Sequence, residues 1–134
     1  MAYAISVQTT SLRARVAFAL WVGVIIFVVV PWYRVQDHSH WAGVQWVPFL
    51  TPPIRLRDMI ANTLFYIPFG YLGVRAIDRR VGRVVVLAGL LSLLTEFSQV
   101  FSHGRFPSST DLVCNTLGAW AGALWADWRV RRSS

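Results

Sequence analysis

The sequence has a single cysteine, no lysine and little charge of either sign. Cys114 alone excludes a disulfide within the chain and any metal site built from several cysteines. Charged residues make up 14% of the 134 residues and apolar residues 55%, whereas roughly a quarter of a soluble domain is charged. The thirteen basic residues are all arginine and flank apolar runs, so the net charge of +7 does not indicate a nucleic-acid partner. This composition is typical of an integral membrane protein.

Four apolar segments predict an all-α fold, namely a polytopic membrane protein with a compact bundle of four transmembrane helices. The first follows Arg13 and Arg15, and its eighteen-residue apolar run would span roughly 27 Å, nearly a hydrocarbon core. It lacks the small-residue cleavage site of a signal peptide, so we interpret it as a retained helix. The predicted units are a flexible N-terminus (1–12) and a single domain (13–132), with spans at about 14–33, 58–77, 84–101 and 111–128.

The arginines orient these spans. With the N-terminus in the cytoplasm, nine arginines flank the cytoplasmic ends and four lie outside, which agrees with the positive-inside rule. Both termini are then cytoplasmic, and the loop 34–57 between the first two spans is extracytoplasmic. Its prolines rule out a long helix, and its tryptophans are typical of a segment at headgroup depth.

Three of the predicted spans carry polar pairs at the same, outer end. The members of a pair are three or four residues apart and therefore share one helix face. Lipid cannot hydrogen-bond to these faces, so we expect them to turn toward one another and form a polar pocket in the outer half of the bundle. The pairs are Asp58 with Asn62, Glu96 with Gln99, and Asp111 with Asn115.

Each polar residue also has a structural interpretation. Asp58 and Asp111 stand at helix starts, where a carboxylate caps free N–H groups and favours the positive end of the helix dipole. The two asparagines, taken singly, are suited to interhelical hydrogen bonds. Glu96 lies about two turns inside its span, where capping does not explain it. It either belongs to a functional pocket or pairs with Arg105 on the following loop.

The three histidines all fall in the loops predicted to lie outside. His38 and His40, with Asp37 beside them, are a loose match to metal-ligand spacing, but solvated interfacial histidines are far commoner. No cofactor fingerprint or nucleophile motif is present. We therefore predict no metal ligands and no cofactor.

Several separated polar residues agree in identity and order with one protein family. The matching segments are NTLFYIPFG from Asn62, EFSQVF from Glu96, Arg105, and STDLVCNTLG from Ser109. Over about residues 58–124 the chain resembles the VanZ-like family of small bacterial integral membrane proteins. The resemblance implies a multi-pass protein of the bacterial plasma (inner) membrane. The family's founding member is linked to low-level resistance to teicoplanin, a lipid-tailed glycopeptide, but similar proteins are widespread, so resistance is not carried over. By matching position, the resemblance implies that the family's polar signature is here Asn62, Glu96, Gln99, Arg105, Asp111 and Asn115.

These observations predict a membrane protein that recognises an amphiphilic or lipid-linked envelope molecule in a pocket facing the outer leaflet. Its partners would be the bilayer and such a ligand. The alternative is a structural or interaction protein whose polar residues only fix helix packing. Whether a reaction is catalysed stays open. The ligand-binding candidates are Asn62, Gln99, Arg105, Asn115 and Asp58, and Glu96 with Asp111 are the acid–base candidates if the protein is an enzyme.

Overall fold

The computed structural model describes residues 11–50, 55–77 and 80–132 of the chain. Within these ranges there are four α-helices and no strand, which confirms the all-α class. Each predicted span corresponds to one helix. The helices are α1 (Leu12–Val29), α2 (Leu56–Ala76), α3 (Val81–Gln99) and α4 (Ser109–Arg132), and a short 3₁₀ turn covers Trp41–Gly43.

Helix α1 begins and ends at recognisable local signals. The Ser11 hydroxyl accepts a hydrogen bond from the backbone N–H of Ala14, which caps the first turn. The helix ends at Val29, short of the predicted residue 33, because Pro31 has no N–H with which to continue the hydrogen-bond ladder. The predicted flexible N-terminus falls largely on residues 1–10, which lie outside the described residues.

Consecutive helices run antiparallel, so α2 and α4 run parallel to each other. The indole N–H of Trp21 on α1 donates to the carbonyl oxygen of Phe65 on α2 at 3.2 Å. Phe18, earlier on α1, packs edge-on against Phe69, later on α2, with ring centroids 4.9 Å apart. The starts of α2 and α4 and the end of α3 consequently lie at one end of the bundle.

Glycines allow α2 and α4 to approach with almost no side chain between them. A Cβ atom added to Gly118 would collide with the carbonyl oxygen of Thr63, and one added to Gly122 would collide with that of Ile67. On the opposing helix, a Cβ at Gly70 would meet the backbone of Ala119. This pair of helices is therefore the centre of the bundle, as the small-residue stripe indicates. The buried apolar core around it is Ile25, Tyr66, Phe69, Val74, Val84, Ala88, Ala119, Ala123 and Ala126.

The outer surface of the bundle is largely apolar. Helices α1 and α3 are long and apolar enough to cross a membrane, with mean hydropathies of 2.1 and 1.6 over their best 18-residue windows. Leu20 and Phe27 on α1 are 67% and 70% exposed, and Leu94 on α3 is 66% exposed. Large apolar side chains are also exposed along α2 and α4. An exposed apolar surface of this extent is typical of a protein that contacts a membrane or another protein.

Backbone hydrogen bonds join the α1–α2 loop to the α3–α4 loop. The N–H of Gln36 donates to the carbonyl oxygen of Phe101 at 2.8 Å, and the N–H of Gln45 donates to that of Pro107 at 2.9 Å. The N–H of Ser109 returns a bond to the carbonyl oxygen of Gln45 at 3.0 Å. The first loop therefore lies across the end of the bundle where α3 stops and α4 begins.

Candidate functional site

A cavity of about 640 Å³ opens at the end of the bundle where α2 and α4 begin. Residues from both helices, from the end of α3 and from both joined loops surround it. Its lining combines two arginines with two carboxylates, three carboxamides and two hydroxyl groups. The lining residues are Gln45, Arg55, Asp58, Met59, Ala61, Asn62, Gln99, Gly104, Arg105, Phe106, Ser108, Thr110 and Asp111.

Five residues singled out in the sequence line this cavity: Asp58, Asn62, Gln99, Arg105 and Asp111. The Asn62 side chain lies beside the Asp111 carboxylate and favours its charged form, so the first turns of α2 and α4 meet here. Asp58 and Arg105 are close enough to Asp111 to act on its charge, the first with repulsion and the second with attraction. The three helix ends therefore bring these side chains together across the cavity.

Glu96 lies beneath the cavity and does not line it. Its side chain is 6% exposed, and Oε2 accepts a hydrogen bond from the backbone N–H of Ser108 at 2.7 Å. Ser108 also accepts the first hydrogen bond of α4, from the N–H of Leu112 at 3.2 Å. Glu96 thus places a carboxylate at the N-terminus of α4, where the helix dipole stabilises negative charge.

The sequence analysis expected that helix capping does not explain the position of Glu96. The contact with Ser108 corrects this expectation. Glu96 does not cap its own helix, which ends at Gln99, but it holds the start of the next one. Arg105 and Asp111 both act electrostatically on Glu96, while its described hydrogen bond comes from Ser108. The assignment of Glu96 and Asp111 as an acid–base pair stays a prediction.

Asn115 lies one turn deeper than Asp111 and outside the cavity lining. Its Nδ2 donates to Ser92 Oγ at 2.9 Å, which joins α3 to α4, and both residues are almost fully buried. In the part of the chain that the structure describes, Asn115 Oδ1 is buried without a hydrogen-bond partner. Asn115 therefore has an interhelical bond, as expected for a packing residue, together with one acceptor atom still available.

A model of the VanZ/LLP1 family matches residues 14–129. The chain belongs to the VanZ/LLP1 family. The match includes α1 and the α1–α2 loop, so it extends beyond the 58–124 region in which the resemblance was recognised. Comparison with curated proteins and with solved structures gives no match. Family membership and the two apolar helices together indicate a membrane protein.

The sequence analysis missed some residues that lie at or near the cavity of this VanZ/LLP1 protein. Arg55 and Gln45 line the cavity, although neither belongs to a motif. Tyr66 is 1% exposed and lies near Ser92, Thr95 and Glu96, without a hydrogen bond of standard geometry within the described residues. Tyr66 is four residues after Asn62 in an apolar span, so its helix-face position was the one signal that indicated it.

Proposed function

We propose that this VanZ/LLP1 protein crosses the bacterial plasma membrane four times and binds the polar head of an amphiphile in the 640 Å³ cavity at the outer leaflet. The observation that carries the proposal is the lining of that cavity. Two guanidinium groups face carboxylates and amides at the end of a bundle whose sides are apolar. Such a site suits a ligand with its head at the interface and its tail in lipid.

The arginine distribution supports an extracytoplasmic cavity. Arg75, Arg80 and Arg83 lie near the α2–α3 connection, at the opposite end of the bundle from the cavity, and α4 also ends there with a cluster of arginines. The positive-inside rule places that end in the cytoplasm, with both termini. Tryptophans near the two ends of the bundle, such as Trp41 and Trp128, match the aromatic belts at membrane interfaces.

Cysteine labelling tests this orientation. In a Cys114→Ser background, Ser39→Cys should react with an impermeant thiol reagent on intact cells because Ser39 is exposed on the α1–α2 loop. Gly82→Cys is the matched cytoplasmic position, since a side chain there meets no atom within 4 Å, and it should react only after the cells are opened. The reverse labelling pattern would place the cavity in the cytoplasm and reject the proposal.

The chemistry of the cavity favours a head that carries phosphate or carboxylate. Guanidinium groups make paired, charge-assisted hydrogen bonds to both of these anions. Asp58 and Asp111 provide acceptors for hydroxyl or ammonium groups of the same head, and Asn62 lies beside Asp111. Phospholipids, lipid-linked envelope precursors and lipoglycopeptides all present this combination of groups.

Removing the Arg105 charge should weaken binding of such a lipid. We expect Arg105→Gln to lower the affinity for an anionic phospholipid by roughly 10- to 100-fold, the equivalent of losing one charge-assisted hydrogen bond. The control is Arg57→Gln, which removes the same charge from an exposed position outside the cavity lining. Native mass spectrometry of both variants, with phosphatidylglycerol added, measures the change. Equal losses in the two variants, or none in Arg105→Gln, would count against a head-group site.

The structural alternative is favoured by a different observation. Glu96 and Asn115, two members of the family's polar signature, make hydrogen bonds to Ser108 and Ser92 and do not line the cavity. These two residues fit a polar network that sets helix register. In the structural alternative the whole polar set has this role, so the residues that line the cavity also only fix helix packing.

A further inference from the structure

The joined loops bring all three histidines of the chain into one cluster. The backbone N–H of His40 donates to the carbonyl oxygen of Val100 at 2.8 Å, next to the bond from Gln36 to Phe101. An antiparallel bridge between Val35 and Ser102 continues this pairing. His103 follows directly and therefore lies beside the first loop, although it is distant from that loop in sequence.

The imidazole groups of His38, His40 and His103 are close to the geometry of a metal site. Their ring centroids are 4.8, 5.0 and 4.5 Å apart, and one nitrogen of each lies within 4.8 Å of the others. Around a tetrahedral Zn²⁺ with bonds of about 2.0–2.1 Å, ligand nitrogens are roughly 3.3 Å apart. His38 and His103 are exposed, so rotation about their side-chain bonds is enough to close the difference.

Asp37 fixes the tautomer of His38. The Nδ1 atom of His38 lies 3.0 Å from Asp37 Oδ1, and a carboxylate can only accept a hydrogen bond, so Nδ1 carries the proton. His38 Nε2 is then the nitrogen with a free lone pair. A carboxylate behind a histidine in this way is the usual outer-shell support of a metal-bound imidazole.

His40 contributes a second free nitrogen. Its Nε2 is buried and, among the described residues, has no hydrogen-bond partner. A buried imidazole nitrogen that lacks a hydrogen-bond partner is available to bind a metal ion.

We propose that His38, His40 and His103 bind one divalent transition-metal ion, of which Zn²⁺ is the best fit, and thereby tie the α1–α2 loop to the α3–α4 loop. Three imidazoles select ions that prefer nitrogen and disfavour Mg²⁺ and Ca²⁺, which require oxygen ligands. A fourth position stays open for water, as in three-histidine zinc sites. Arg105 lies two residues after His103, so the ion would also restrain the loop that carries Arg105 into the cavity.

The test is a metal titration of the detergent-solubilised, chelator-stripped protein, purified through a tag without histidine. The cluster contains every histidine of the chain, so no other imidazole competes for Co²⁺. We expect one Co²⁺ per chain, with the visible absorption of tetrahedral nitrogen coordination, and displacement by Zn²⁺ but not by Mg²⁺. Zn²⁺ should also raise the unfolding midpoint, because it binds the folded state.

Three variants separate the ligands from their surroundings. His103→Ala should abolish the Co²⁺ absorption, and Asp37→Asn should weaken binding by roughly 10- to 100-fold while the stoichiometry stays at one. Ser39→Ala, between the two loop histidines, should bind as the native protein does. Circular dichroism without metal checks that the variants keep their helix content.

Two results of the titration would overturn the proposal: native protein that binds no Co²⁺ or Zn²⁺, or His103→Ala protein that binds Co²⁺ as tightly as native. Protection of the native histidines from diethyl pyrocarbonate by Zn²⁺ gives a second readout that needs no variant. Protection of all three histidines supports the site, and its absence contradicts it.

Discussion

Gly122→Ala should strongly destabilise the protein. A Cβ at this position would collide with the carbonyl oxygen of Ile67 and come within 3.0 Å of the backbone nitrogen of Tyr71. Backbone atoms cannot rotate away as a side chain can, so α2 and α4 must separate. We expect the free energy of unfolding to fall by about 3 kcal/mol, the upper end of the usual cost of overpacking. Thermal unfolding in detergent, followed by circular dichroism, measures the loss.

Gly23→Ala is the matched control for this prediction. Gly23 also lies within a helix, but nothing lies within 4 Å of an added Cβ. Alanine favours the helix over glycine by about 1 kcal/mol, so the unfolding midpoint should stay level or rise. If Gly122→Ala unfolds at the same temperature as Gly23→Ala, the α2–α4 contact is looser than the structure indicates.

The helices were predictable because their signals are local. Apolar runs and arginine flanks placed all four, and the structure moves their ends by a few residues. Helix α4 runs to Arg132, beyond the predicted residue 128, and Arg131 pairs with Asp127 at 2.8 Å one turn before it. The glycine stripe at Gly118 and Gly122 also indicated close packing, but the sequence did not identify α2 as the partner.

The arrangement of the loops was not predictable, because backbone hydrogen bonds produce it. The bonds from Gln36 to Phe101 and from Gln45 to Pro107 involve N–H and carbonyl groups that every residue has, so no side-chain pattern indicates them. The same bonds place His40 beside His103 and bring Gln45 to the cavity. For this reason the sequence indicated the helix-borne cavity residues and missed those on the first loop.

The polar residues of the bundle end divide into two levels. Asp58, Asn62, Arg105 and Asp111 line the cavity. Glu96, one level below, is bonded to the backbone at the start of α4. Residues of one family signature therefore lie in different surroundings. In the proposed function the charges that line the cavity contact the ligand, whereas Glu96 acts through the hydrogen bond that it accepts from Ser108.

Glu96→Ala should destabilise the protein strongly, while Glu96→Gln should leave it folded and able to bind lipid. Alanine leaves the buried N–H of Ser108 without its acceptor, at a cost of about 1–3 kcal/mol in the free energy of unfolding, and adds a cavity. Glutamine keeps an oxygen at the same place and nearly the same volume. The measurements are the amount of protein in the membrane, its unfolding midpoint and the phosphatidylglycerol bound per chain.

The two Glu96 variants also decide between the roles of this residue. If Glu96→Gln reaches the native level in the membrane and binds native amounts of lipid, the residue acts through its hydrogen bond to Ser108, as a positioning residue for α4. If Glu96→Gln reaches that level but loses the lipid, the charge of Glu96 itself takes part in binding. Glu96 would then belong to the binding site, although it lies beneath the cavity. Either result is distinct from loss of the Arg105 contact, because Arg105→Gln removes a cavity charge without touching the Ser108 bond.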